Sequence, residues 1–302
     1  MPPPRSRANS PRRKPQSSAA EARRTLAVFQ AIVHCRRKYG AQAIGPYIVS
    51  MAHGPDDVLS VLLLAKWGDL GPKGAAVPLD VVPLFETVED LESAASIMEG
   101  LLADDSYREH LEHRKFEQMV MVGYSDSNKD GGLASARWTL RRAQQQLVET
   151  MAYLGVKLTI FHGRGGTISR GGGRLNDAVM ASPAGAVEGR LRMTEQGEMI
   201  NAKYGLRAIA MRSLEQTVSS VLFSTTKKPV VEASKPCWQE IMTTVAAASR
   251  NVYQQLIYDR PEFWAYFRDA TPIDVIERCL KEAVNAGELS AQADCARIAA
   301  YF

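Results

Sequence analysis

The sequence predicts an α/β fold, a partial (β/α) TIM-type barrel with abundant surrounding helices. Three observations predict it. Short apolar runs alternate with segments of helical period, as parallel strands buried on both faces require. Polar and charged residues follow the runs directly, at the strand ends where barrel enzymes keep their active sites. About five such runs are visible in the 302 residues. A closed barrel needs eight strands, so the chain supplies part of one. A doubly wound open sheet is the competing arrangement.

The elements follow in order. Residues 1–20, MPPPRSRANSPRRKPQSSAA, hold Arg5, Arg7, Arg12, Arg13 and Lys14 and no acid. Pro, Ser and Arg in this proportion predict a disordered basic tail. It has no central apolar stretch, so it is not read as a secretory signal. Residues 21–39 form a helix with Leu26, Phe29 and Val33 on one face and Gly40 as its stop. The strands are expected at 46–52, 79–85, 118–124, 156–161 and 189–194, the last interrupted by Arg190 and Arg192. Leu140, Ala143, Leu147, Met151 and Leu154 form a helical stripe over 139–154. Residues 212–224, 237–258 and 273–286 also have helical period. The expected division is a tail at 1–20, a partial barrel carrying the active-site loops at 21–235 and a helical region at 236–302.

Composition narrows the function. Hydrophobic residues make up 45% of the chain, enough for a sizeable core. The tail carries the excess positive charge and the remainder is nearly balanced, so the charge does not point to nucleic acid. No apolar run is long enough to span a bilayer. Cys35, Cys237, Cys279 and Cys295 form no Cys-x-x-Cys pair. This fits a reducing, cytoplasmic setting without a disulfide framework or zinc site.

Candidate chemistry sits after the strands. Glu86 follows one run and Asp126 the next. Two carboxylates with open water positions suit Mg²⁺ or Mn²⁺. The competing reading of Asp126 is a helix N-cap. Lys129 lies in the polar run Ser125–Asp130, whose residues favour turns, and is either an anion contact or simply solvated. The segment FHGRGGTISRGGGR (161–174) holds His162, Arg164, Arg170, Arg174 and six glycines, Gly165 and Gly166 among them. Glycines expose backbone N–H groups, and guanidinium forks suit carboxylate or phosphate. A nucleic-acid linker would have this composition too. The segment occurs once, between a strand and an apolar stretch, which favours a small, multiply charged anion. His110 and His113 read as a surface pair, His53 as a turn or mouth residue, and Trp67, Trp138, Trp238 and Trp264 as packing.

The segments VVPLFET, VMVGYSDSNKDGG, FHGRGGTISRGGGR and LRMTEQGEMINAKYG resemble, in this order and spacing, segments of the phosphoenolpyruvate carboxylase family. GPYIVSMAHGPDDVLSV before them and FRDATPIDVIE after them are similar as well. The likeness runs from about Glu21 to about Glu277. It implies a cytoplasmic barrel enzyme of anaplerotic carbon fixation that needs Mg²⁺ or Mn²⁺. Bicarbonate attacks the phosphoryl group of phosphoenolpyruvate, giving carboxyphosphate and an enolate, and the enolate takes up CO₂ to yield oxaloacetate. On this resemblance Glu86 and Asp126 hold the metal. Lys129, Arg164 and Arg170 hold phosphate and carboxylate groups, with Gly165 and Gly166 beside them, and His162 positions bicarbonate. The sequence departs from the family loop where Ser169 precedes Arg170 and Arg174 takes the place of a Pro. No His-Pro pair matches the family's catalytic-His segment, and the family's distal Arg segment is also unmatched. The chain is therefore expected to be an incomplete or divergent member, acting as a homo-oligomer or with a complementing chain. The alternative is a non-catalytic anion-binding remnant or interaction module of the same family.

Overall fold

The structure is a computed structural model that describes residues 15–71, 76–163, 175–195, 197–226 and 236–285. The chain runs α1 (Pro15–Tyr39), β1 (Tyr47–Val49), α2 (Pro55–Trp67), β2 (Val81–Phe85), α3 (Val88–Leu102) and α4 (Asp105–His113). It continues through β3 (Glu117–Gly123), α5 (Ser125–Tyr153), β4 (Lys157–Gly163), α6 (Leu175–Met180) and β5 (Arg192–Met193). The remaining helices are α7 (Gly197–Tyr204), α8 (Arg207–Thr226), α9 (Pro236–Ile257), α10 (Pro261–Ala270) and α11 (Ile273–Asn285).

Among the described residues, five strands form one parallel sheet in the order β1-β2-β3-β4-β5. The order never reverses, so there is no topological switch point of the doubly wound kind. Each strand lies within or beside the run expected from the sequence. The fifth is only two residues, Arg192–Met193, shorter than its expected run, and Arg192 lies within it, paired with Phe161.

The two faces of the sheet differ. Val81, Phe85, Val120, Val122 and Ile160 join Leu91, Leu101, Leu140, Leu147 and Met151 from the helices in one large buried cluster. Val82, Leu84, Met121 and Phe161 form a smaller cluster on the other face. Alternation along each strand sorts these two sets. A fully buried Leu or Phe here contributes about 1.5–3 kcal/mol.

Local chemistry sets where the helices start. Pro55 and the acidic Asp56 and Asp57 open α2, and Asp57 Oδ2 accepts from the His53 and Gly54 amides at 2.8 and 3.2 Å. Thr87 and Asp90 form a reciprocal capping box at α3. Helix α5 is two helices that meet across a kink at Gly132, whose φ of 71° and ψ of 171° are non-helical.

Two expectations need correction. His110 is not a surface residue. It is buried beside Tyr107 and Leu111, because these three positions form the inner face of α4. Its Nδ1 has no hydrogen-bond partner among the described residues. Trp67, Trp238 and Trp264 do not pack as core, being 65%, 55% and 51% exposed. Trp138 donates to Thr243 Oγ1 at 3.1 Å. Among the described residues no helix is long and apolar enough to cross a membrane. The basic residues of the tail lie outside the described residues.

Candidate functional site

The C-terminal ends of β2, β3 and β4 stand side by side. The register pairs Phe85 with Val122, Val122 with His162, and Gly123 with Gly163. Glu86, one residue past β2, therefore sits next to the end of β3. It continues the alternation of Val82 and Leu84, so it belongs to the face opposite the helices. Gly123 permits this contact, since a Cβ there would lie 3.0 Å from Glu86 Cα and 3.2 Å from its Cγ.

The backbone around Glu86 is fastened. Its own amide donates to Asp90 Oδ2 at 3.4 Å, and the Met51 amide donates to Glu86 Oε2 at 3.1 Å. Asp90 also accepts from the Thr87 amide at 3.0 Å and from His53 Nδ1 at 2.7 Å. Burial alone would raise the Asp90 pKa, but the hydrogen bonds from Thr87 and His53 outweigh it and hold the group below the ordinary range. His53 thus supports the Glu86 turn through Asp90. The pattern Thr87-x-x-Asp90 before an apolar run was a readable signal for this, as a capping box.

Asp126 lies in the first turn of α5, not at its N-cap, which is Tyr124. The Ser125–Asp130 run is helical where its composition favours turns. Burial raises the Glu86 pKa, and the Asp126 carboxylate raises it further through its charge and a side-chain hydrogen bond. Two carboxyl groups this close repel as a pair of anions. A divalent cation relieves that repulsion. An oxygen-only donor pair is of the kind that suits Mg²⁺ or Mn²⁺. Among the described residues no group of three or more His, Cys, Asp and Glu side chains is set to hold a metal. Lys129, one turn on, places Nζ 3.8 Å from Asp126 Oδ1.

His162 is 2% exposed. It shares the helix-facing side of β4 with Ile160, and its Nδ1 is hydrogen-bonded to the Tyr124 hydroxyl at 2.8 Å. Its carbonyl accepts from the Thr194 amide at 3.0 Å, tying β4 to the chain after β5. Tyr124 itself carries the Arg137 guanidinium over its ring at 5.6 Å. Sequence reasoning did not identify Tyr124, because a Tyr before a polar run carries no pattern of its own. Arg164, Gly165, Gly166 and Arg170, with Ser169 and Arg174, lie outside the described residues. Gly163, the described residue before them, lies beside Gly123 at the end of β3.

Comparison with known proteins gives one consistent result. A family model described as phosphoenolpyruvate carboxylase matches residues 7–281. The phosphoenolpyruvate carboxylase of Xanthomonas euvesicatoria pv. vesicatoria (strain 85-10) is 54% identical over 252 residues, covering 83% of this chain and 28% of that relative. The phosphoenolpyruvate carboxylase of Shewanella sediminis (strain HAW-EB3) is 48% identical over 232 residues, covering 77% of this chain and 25% of its own length. That of Parasynechococcus marenigrum (strain WH8102) is 41% identical over 259 residues, or 84% and 26%. The chain thus spans roughly a quarter of the length of these curated relatives.

Proposed function

The chain belongs to the phosphoenolpyruvate carboxylase family, and from that premise we propose that it carries the cation- and phosphate-binding part of a phosphoenolpyruvate carboxylase site. The observation that carries this reading is the Glu86–Asp126 carboxyl pair, between the end of β2 and the first turn of α5, with Lys129 3.8 Å from Asp126. The sequential parallel sheet, with its helices on one face, is proposed as an arc of a (β/α) barrel, built from residues 21–235.

The residues then divide the work. Glu86 and Asp126 would hold Mg²⁺ or Mn²⁺, which when bound supplies Lewis-acid stabilisation of the charge that develops on substrate oxygen. Lys129 contributes a mobile point charge toward phosphate. Arg164 and Arg170 contribute forked donors to phosphate and carboxylate, and Gly165 and Gly166 allow the backbone to approach. Together they counter the negative charge of phosphoenolpyruvate and bicarbonate and stabilise the transition state. Burial of His162 against Tyr124 favours a positioning part, holding the end of β4, over proton transfer to substrate.

Oxaloacetate and phosphate are the proposed products, made in the cytoplasm. Action as a homo-oligomer or with a complementing chain is part of the proposal. The second reading is a non-catalytic anion-binding module of the same family. The experiment supplies phosphoenolpyruvate, bicarbonate and Mg²⁺ to the purified chain and follows oxaloacetate. Turnover abolished by Arg164→Ala and by Asp126→Ala supports the site. Turnover that both substitutions leave intact overturns it. Phosphoenolpyruvate binding without turnover selects the second reading.

A further inference from the structure

We infer that α9 is a brace for the helical turn that presents Asp126 and Lys129, with Arg250 and Tyr258 as positioning residues. The inference rests on the reading of Asp126 and Lys129 as cation and phosphate ligands. The reason for a brace lies in α5. Its first segment, 125–131, is cut off from the long segment that follows by the non-helical Gly132. A helix end leaves its last carbonyls without intrahelical donors. Side chains from 120 and more residues further along the sequence meet this end.

Three contacts converge there. Tyr258 Oη donates to the Lys129 carbonyl at 2.8 Å, and Gln254 Nε2 donates to the Asp130 carbonyl at 3.3 Å. Arg250 Nη2 donates to Asp130 Oδ2 at 3.1 Å, an ion pair about two-thirds shielded from solvent on both sides. The break itself is filled from the same helix. A Cβ on Gly132 would meet Tyr253 Cγ at 3.0 Å, and the Tyr253 and Tyr258 rings stack edge to face with centroids 6.5 Å apart. One face of α9 and the Tyr258 that follows it thus supply the donors, the ion pair and the ring that hold residues 129–132. Lys129 lies within the held stretch and Asp126 three to six residues before it, on the same short helical segment, so the tilt of both follows that of the held end.

The test uses the full 302-residue chain with Arg250→Ala, Arg250→Lys and Tyr258→Phe, the last removing only a hydroxyl. Amide hydrogen exchange is read over 125–131 and over 140–153, and Mn²⁺ affinity is read by electron paramagnetic resonance. Arg250→Ala and Tyr258→Phe are expected to speed exchange over 125–131 with 140–153 unchanged, and to weaken Mn²⁺ binding about tenfold. Arg250→Lys is expected to retain most of both. Unchanged exchange over 125–131 overturns the brace. Faster exchange with unaltered Mn²⁺ affinity overturns its positioning role. Faster exchange in the variants of a chain that binds no Mn²⁺ supports the brace and overturns the metal reading on which the inference rests.

Discussion

Gly123 and Glu86 touch at the ends of β3 and β2, so closely that a single methyl group on Gly123 would lie 3.0 Å from the Glu86 Cα. The neighbour is backbone, which is fastened by Asp90 and cannot yield cheaply. Gly123→Ala is expected to cost about 1–3 kcal/mol of stability, as overpacking does. It should also move Glu86 away from Asp126 and weaken Mn²⁺ binding. Urea denaturation and Mn²⁺ titration of the variant check both.

The capping box at α3 gives a graded pair of outcomes. Thr87 Oγ1 accepts from the Asp90 amide at 3.1 Å, and Thr87→Ala is expected to cost about 1 kcal/mol. Asp90 caps the Glu86 and Thr87 amides and also receives His53. Asp90→Ala is therefore expected to cost more, about 2 kcal/mol, and to loosen the Glu86 turn. Thermal denaturation of both variants reads the order.

His110 predicts how stability depends on pH. Burial, helped by the charges of Arg114, His113 and Lys66 and opposed by Asp80, lowers its pKa to about 4 in the folded chain. The unfolded value is about 6.5. The unfolded chain thus binds more protons between these values, and stability falls as pH drops from about 6.5 to about 4. The loss is about 3 kcal/mol at most. His110→Leu removes this titration, so its stability should be flatter than that of the unsubstituted chain over the window. Urea midpoints at pH 7 and pH 4.5 give the comparison, and parallel losses in both proteins contradict the account.

The sheet was legible because its signals are local. Runs such as VVPLF and MVMVG are apolar on both faces, and the residues after them are polar, so strand positions and the ends that bear Glu86 and Asp126 could be read directly. The Ser125–Asp130 run was harder. Its composition favours turns, but docking of α9 holds it as helix. His110 was misread because a His between charged neighbours looks solvated until the packing of α4 places it inside. Tyr124, Gly123 and Arg250 act through partners 37 or more residues away, and no window of sequence contains such a pair.

The measurement that bears most directly on the site is Mn²⁺ binding to the chain and to Glu86→Gln, Asp126→Asn and their double variant. The account predicts one bound Mn²⁺ per chain, about tenfold or more weaker in either single variant and lost in the double. Equal affinity in the double variant and the unsubstituted chain would contradict it, as would the absence of binding to the unsubstituted chain.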